Sequence, residues 1–202
     1  MPRAARQPLT SQLAPSEHGV VGAVYLTRAQ IAARVTELGA EIAADYEGLD
    51  PLLVAPLKSS VVFLADLTRA LPVPHTLDVV ELAPYTGGGN TNGGGVRLLK
   101  DVDVPLEGRH VLLVEDVVDT GLTLHFLCRT FALRDPASLA AVTLLDRPHR
   151  RLVEELPLRY AGFSVPDELF AGYGLGLDER WRALPDLHVV SAVELGATSS
   201  AA

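Results

Sequence analysis

The chain has 202 residues, 48% apolar and 21% charged, with a formal charge of −8, so it suits one buried α/β core with a small appendage and not two full domains. The acidic balance repels a nucleic-acid backbone, and no run of about 18 apolar residues is available to cross a bilayer. A single cysteine, Cys128, excludes an internal disulfide and a multi-cysteine zinc site; with no export signal in the opening MPRAARQPLTSQLAPSEHG, the chain reads as cytoplasmic.

Residues 1–20 read as a flexible arm. In YLTRAQIAARVTELGAEIAADY, Thr27 stands three residues before Gln30 as in a capping box, and Ile31, Val35, Leu38 and Ile42 share one face, which predicts an amphipathic helix ending near Gly48. LLVAP at 52–56 is a short buried strand, SSVVFLADLTRAL a serine-capped helix closed at Leu71–Pro72, and TLDVVELA at 76–83 a further strand. Residues 85–95, YTGGGNTNGGG, hold six glycines and two asparagines with nothing apolar after Tyr85, the composition of a mobile flap. VRLLK resumes a strand, Pro105 to Gly108 turn the chain, HVLLVED is a strongly apolar strand ending in two acids, DTGLTLHFLCRTFALR shifts to helical spacing, and SLAAVTLL returns to strand.

Short buried strands alternating with helices argue for an open, mostly parallel α/β sheet flanked by helices. The last quarter differs: LRYAGFSV, LFAGYG and DLHVV are short strands among turns, read as a small hood subdomain completed by the N-terminal segment, with Trp181 packing inside it. One domain then spans 21–190, and 191–202 form a flexible tail. Cys128, within LTLHFLCRTFAL, is a packing residue; His149, Arg150 and Arg151 in PHRR form a solvated charged face; Asp66, Arg69 and Asp146 are candidates for structural pairing.

In such a sheet, ligands sit beyond the carboxyl ends of the strands, where Glu115 and Asp116 close the run Val111 to Val114. Two adjacent carboxylates on a buried strand are costly unless they meet cations or hydroxyl donors, and a sugar diol, directly or through Mg²⁺ and water, is the partner that suits them. Three residues on, Asp119-Thr120-Gly121-Leu122-Thr123 leads into a helix. Gly121 permits a tight turn, Thr120 and Thr123 offer hydroxyls, and the helix start offers N–H groups and a positive dipole end, which together suit a phosphate monoester. Asp119 either reaches sideways toward a reacting base or caps the loop as the helix N-cap.

VLLVEDVVDTGLTL resembles the diphosphate-sugar signature of type I phosphoribosyltransferases, and the order of PLKSSVVFLADLTRAL, the glycine-rich segment, TLLDRPHRR and YAGFSVPDELFAGYGLGLDERWRALPDLHVV resembles the hypoxanthine-guanine branch over residues 20 to 190. The resemblance implies transfer of 5-phosphoribosyl from 5-phospho-α-D-ribose 1-diphosphate to a 6-oxopurine with Mg²⁺, in a homodimer or homotetramer, with small molecules as the only partners. It assigns Glu115 and Asp116 to the ribose hydroxyls and the metal, and Asp119 to purine N7. Residues 119–123 take the 5′-phosphate, Lys58 and Arg182 the pyrophosphate, and Tyr85 belongs to the flexible loop. Beside Lys58 the family carries a non-proline cis peptide.

Five positions depart from that pattern. Ser59 replaces a glycine, Pro84 a serine before Tyr85, Arg147 the lysine that reads the 6-oxo group, Leu169 an aromatic that stacks on the purine with Phe170 one place later, and Gly176 an aspartate that binds a second Mg²⁺, leaving Asp178 as the nearby substitute. Three functions stay open on the sequence: purine salvage to IMP or GMP, a nucleotide-sensing regulator without turnover, and a transferase for a different nitrogenous acceptor.

Overall fold

The structure, a computed structural model, describes residues 19–85 and 95–192; most of the expected arm, flap and tail, at 1–18, 86–94 and 193–202, lies outside the described residues. In chain order the elements are β1 (Gly19–Leu26), α1 (Arg28–Tyr46), β2 (Leu52–Leu57), α2 (Val61–Ala70), β3 (Thr76–Tyr85), β4 (Gly95–Lys100), β5 (His110–Val118), α3 (Leu122–Ala132), β6 (Ser138–Asp146), a 3-10 turn (Pro148–Arg150), β7 (Leu158–Ser164), β8 (Leu169–Ala171) and β9 (Leu187–Ala192). Residues 29–167 form one compact unit, and 19–28 with 168–192 form a second. No helix among the described residues is long and apolar enough to cross a membrane.

The larger unit is an open α/β sheet in the order β4-β3-β2-β5-β6-β7, parallel throughout except for the antiparallel pair β3 and β4. β5 lies inside the sheet, and Val111 to Asp116 are buried without a break, as expected of a parallel strand covered on both faces. Side chains alternate along it. Val111 and Leu113 join Leu52, Val54 and Ala141 in a cluster packed on Leu124, Leu127, Cys128 and Phe131, one stripe of α3. Each leucine fully buried there contributes roughly 2 kcal/mol, and truncating Phe131 to alanine costs about 3–5 kcal/mol. α1 buries Ile31, Val35, Leu38, Ile42 and Tyr46 on one stripe, and α2 buries Phe63, Leu64 and Leu67.

Two sequence readings change here. LRYAGFSV is not part of a hood: β7 pairs parallel with β6 as the sheet's edge. Only Tyr160 of β7 is buried, so the strand lacks the continuous apolar run that marks β5 and β6. Arg34 of α1 donates to two of its carbonyls, Gly162 O at 3.0 Å and Ala161 O at 2.9 Å. Ser60 occupies the N-cap position of α2, but its side chain makes no capping bond because the hydroxyl is engaged elsewhere, as described below.

The smaller unit is a three-stranded antiparallel sheet, β1-β9-β8, so residues 19–26 do complete the C-terminal strands. Ala171, Trp181, Leu184 and Val190 form its core.

Candidate active site

Strand order decides where the chemistry collects. From β2 the chain crosses to β3 on one side, and β5 returns on the other, so the sheet's connections diverge between β2 and β5. At such a switch point the loops leaving the carboxyl ends part and open a crevice. Lys58, Ser59 and Ser60 follow β2 there, and the end of β5 supplies Glu115 and Asp116. The Leu57–Lys58 peptide is cis, and Lys58 is exposed.

Neighbouring residues on a strand point to opposite faces, so the two acids do different things. Asp116 turns toward the start of α2. The Ser60 hydroxyl donates to its Oδ1 at 3.0 Å and accepts the Asp116 backbone N–H at 3.1 Å, and the Ser59 hydroxyl also donates to it. Burial raises the Asp116 pKa above the usual carboxylate range, and the two hydroxyls oppose that rise. Glu115 is 5% exposed, and its Oε1 has no hydrogen-bond partner. Burial, then the charge of Asp116, pushes its pKa well above the ordinary value.

Glu115 shares a cavity of about 230 Å³ with Asp119, Thr120, Gly121 and Thr123, and Val118 and Leu124 also line it. Gly121 is the N-cap of α3 with φ +83, in the left-handed region, and a Cβ there would lie 2.8 Å from Leu156 Cδ1, so both backbone and space call for glycine. The helix begins with His125 N–H donating to Gly121 O at 2.9 Å, which leaves the earlier amides of the first turn outside the helical ladder. Thr120 Oγ1 accepts from Leu122 N–H at 3.4 Å; the Leu122 side chain itself is exposed. Buried carboxylate, hydroxyls and helix-start amides thus meet around one space. A larger depression of about 530 Å³ at the opposite strand ends, beside His110, Ser138 and Leu158, is mostly apolar and lacks this combination.

Asp119 is not the helix N-cap, because Gly121 holds that position. Its carboxylate faces two arginines: Arg147 Nη1 is 3.4 Å from Oδ2, and Arg150 Nε is 3.0 Å from Oδ1, the latter an ion pair without hydrogen-bond geometry. Arg147 is 7% exposed, also pairs with Asp167, and has an unpartnered buried Nε. Arg150 donates to Asp167 at 2.9 Å. The sequence reading placed Arg150 on a solvated charged face, whereas it pairs with Asp119 and Asp167; it passed over Asp167 and the role of Ser60. Asp146 and Arg151 pair with each other, as do Asp66 and Arg69.

The remaining candidates are described in their own surroundings. Tyr85 ends β3, its backbone opposite Gly95. In the smaller unit Leu169 is 47% exposed, while the Phe170 ring packs on Tyr25 with centroids 4.9 Å apart. Arg182 donates to Gly174 O at 2.9 Å and Glu179 Oε1 at 3.1 Å. Gly176 lies against it: an added Cβ would sit 2.7 Å from both Arg182 Cγ and Arg180 O, so this backbone has no room for a side chain at 176. Asp178 has φ +50. Among the described residues no three of His, Cys, Asp and Glu converge as a metal cluster. An Mg²⁺ carried by a substrate's phosphates asks for only one or two protein carboxylates, which the unpartnered oxygen of Glu115 fits.

The chain matches the family model described as phosphoribosyl transferase domain over residues 24–171. It is 44% identical over 172 residues to a hypoxanthine-guanine phosphoribosyltransferase of Mycobacterium avium, covering 82% of this chain and 84% of that one. Identity to a hypoxanthine phosphoribosyltransferase of Escherichia coli is 43% over 164 residues, 80% of this chain and 91% of that one. Among solved structures, a hypoxanthine-guanine phosphoribosyltransferase from Bacillus anthracis superposes with TM-score 0.78 at 39% identity, covering 86% of this chain and 99% of that one. The hypoxanthine phosphoribosyltransferase of Trypanosoma cruzi gives TM-score 0.77 at 36% identity, over 85% and 98% respectively.

Proposed function

The chain belongs to the phosphoribosyl transferase family, and from that premise we infer that it is a hypoxanthine-guanine phosphoribosyltransferase of purine salvage. It transfers 5-phosphoribosyl from 5-phospho-α-D-ribose 1-diphosphate to hypoxanthine or guanine, giving IMP or GMP and pyrophosphate. The observation that carries the site assignment is the shared cavity of Glu115 and the Thr120–Thr123 turn, a hydroxyl acceptor and a phosphate cradle in one space.

In the reaction a purine nitrogen attacks C1 of the sugar, the bond from C1 to the diphosphate oxygen breaks, the diphosphate leaves with its electron pair, and the purine N7 proton passes to Asp119. The protein's part is to orient the reactants, screen the departing charge and keep water away from an oxocarbenium-like sugar. Glu115 accepts from the ribose hydroxyls, and Asp116, braced by Ser59 and Ser60, holds the end of β5 in place. The amides and hydroxyls of residues 120–123 take the 5′-phosphate. A bound Mg²⁺ supplies charge neutralisation at the diphosphate, and Glu115 is the residue that would hold it on the protein side. Lys58 adds positive charge for pyrophosphate, a role the resemblance gives to Arg182 as well.

Arg147 and Asp119 present a donor beside an acceptor, the complement of a purine edge carrying a 6-oxo group and a protonated N7. Adenine carries a donor where that edge needs an acceptor and is excluded by an unpaired guanidinium. By the resemblance, Tyr85 belongs to the flexible loop, Leu169 or Phe170 to the position that stacks on the base, and Asp178 to a second Mg²⁺. The working form is a homodimer or homotetramer in the cytoplasm, a setting suited to the lone buried thiol of Cys128.

The test is pyrophosphate release from the pure protein with Mg²⁺, the diphosphate sugar and hypoxanthine, guanine, xanthine or adenine singly. Turnover with hypoxanthine or guanine alone is expected. Turnover with a different acceptor reassigns Arg147 and Leu169, and binding of the sugar without any turnover makes the chain a sensor.

A further inference from the structure

We propose that Arg150, together with Asp167, is a positioning residue for the base side of the reaction: it fixes Asp119 while leaving Arg147 able to turn to the base. The inference rests on the reading of Asp119 and Arg147 given above and adds two residues that neither sequence pattern nor cavity lining singles out.

Four charges close into a ring of alternating sign. Asp119 meets Arg147 at 3.4 Å and Arg150 at 3.0 Å; Asp167 meets Arg150 at 2.9 Å and pairs directly with Arg147. Each acid touches both arginines and each arginine both acids, so no member moves without disturbing two others. The Arg150 guanidinium holds the Asp167 carboxyl below its usual range.

Backbone contacts make this ring part of the phosphate loop. Arg147 N–H donates to Val118 O at 3.0 Å, and Leu152 N–H donates to Thr120 O at 2.9 Å. These bonds fasten the turn to the chain on both sides of Asp119. Within the turn, Arg150 N–H donates to Arg147 O at 3.1 Å, which sets the two guanidinium groups on the same side. Arg150 is therefore held next to Asp119 by main chain rather than by the ion pair alone.

Asp119 Oδ2 accepts from Arg147, while the buried Oδ1 lies 3.0 Å from Arg150 Nε as an ion pair without hydrogen-bond geometry. For Oδ2 to meet a purine nitrogen, the Arg147 contact must yield. The Arg147 contact is the longer, and Arg147 is also the residue with an unpartnered buried Nε. Arg147 thus swings to the base, Arg150 keeps Asp119 from following it, and Asp167 limits how far Arg147 travels. A lysine at 150 is a point charge that reaches one acid at a time and cannot span the two.

The experiment is steady-state kinetics on Arg150→Ala, Arg150→Lys and Asp167→Asn, varying base and diphosphate sugar separately, with thermal melts of each. Arg150→Ala is expected to lower kcat/KM for hypoxanthine by roughly tenfold or more, the scale of a misplaced reacting group, with KM for the diphosphate sugar within twofold of wild type. Arg150→Lys should recover part of the loss, and Asp167→Asn should act mainly on KM for the base. An Arg150→Ala enzyme with unchanged base kinetics, or with equal losses toward both substrates, overturns the proposal. A wild-type protein that turns over no base at all sinks the underlying functional reading instead, so the two failures are distinguishable.

Discussion

Glu115 offers the sharpest prediction, because its burial sets function against stability. Its carboxylate is 5% exposed, carries an unpartnered Oε1 and adjoins Asp116 in the chain, so the ligand-free protein tolerates it at a cost. That cost has a ceiling. At pH 7 it cannot exceed the work of protonating an ordinary glutamate, about 1.36 kcal/mol for each of the roughly 2.7 pH units above a reference pKa near 4.3, or close to 4 kcal/mol. Glu115→Gln keeps the volume and removes the charge, and should therefore stabilise the free protein at pH 7 by about 1–3 kcal/mol, raising Tm by about 2–10 °C for a chain of this size. The pH dependence has a definite sign. A folded-state pKa raised above the unfolded value means that the wild type has its full stability below the unfolded pKa and loses it as pH climbs toward the folded one. The variant has no such titration, so the gap between them should be small at pH 5 and wide at pH 8 by urea denaturation. The same substitution should weaken the diphosphate sugar by roughly tenfold or more, the value of a hydrogen bond to a charged acceptor. A gap that does not change with pH, or a wild type more stable than the variant at pH 8, refutes the reasoning.

Ser60→Ala removes one hydroxyl that both donates to Asp116 and accepts its N–H, and should cost about 2–3 kcal/mol in urea denaturation. Gly121→Ala forces alanine to φ +83 with its methyl against Leu156; about 1–3 kcal/mol of stability should be lost, and KM should rise for the diphosphate sugar but not for the base. Gly176→Asp, which restores the family's carboxylate, should destabilise by about 1–3 kcal/mol because its Cβ meets Arg182 and Arg180 O, with no gain in the Mg²⁺ dependence of turnover.

What could be read from the sequence was what neighbours in the chain decide. Val111 to Val114 form an apolar run too short for a helix and bounded by charge, and a strand is their natural state; Gly121 marks a turn whatever lies around it. β7 escaped because burial on an edge strand is sparse, so LRYAGFSV looks like the short strands that follow it. The pair Glu115 and Asp116 was visible, but its division of labour was not, although it follows from the two-residue repeat of a strand once both faces are known to be covered. Asp116 needs Ser60, 56 residues away, and Arg147 needs Asp167, 20 residues on. Contacts at those separations depend on which strands lie side by side, which only the order β4-β3-β2-β5-β6-β7 supplies. The same logic explains the PHRR turn. As isolated residues its arginines are indistinguishable from a solvated surface cluster; they acquire a role only because β6, pairing with β5, delivers residue 147 to the carbonyl of Val118 and so carries Arg150 to Asp119. Motif spacing can therefore find the loop that grips phosphate, whereas the residues that aim the loop's carboxylate come from the neighbouring strand's exit and have to be found in three dimensions.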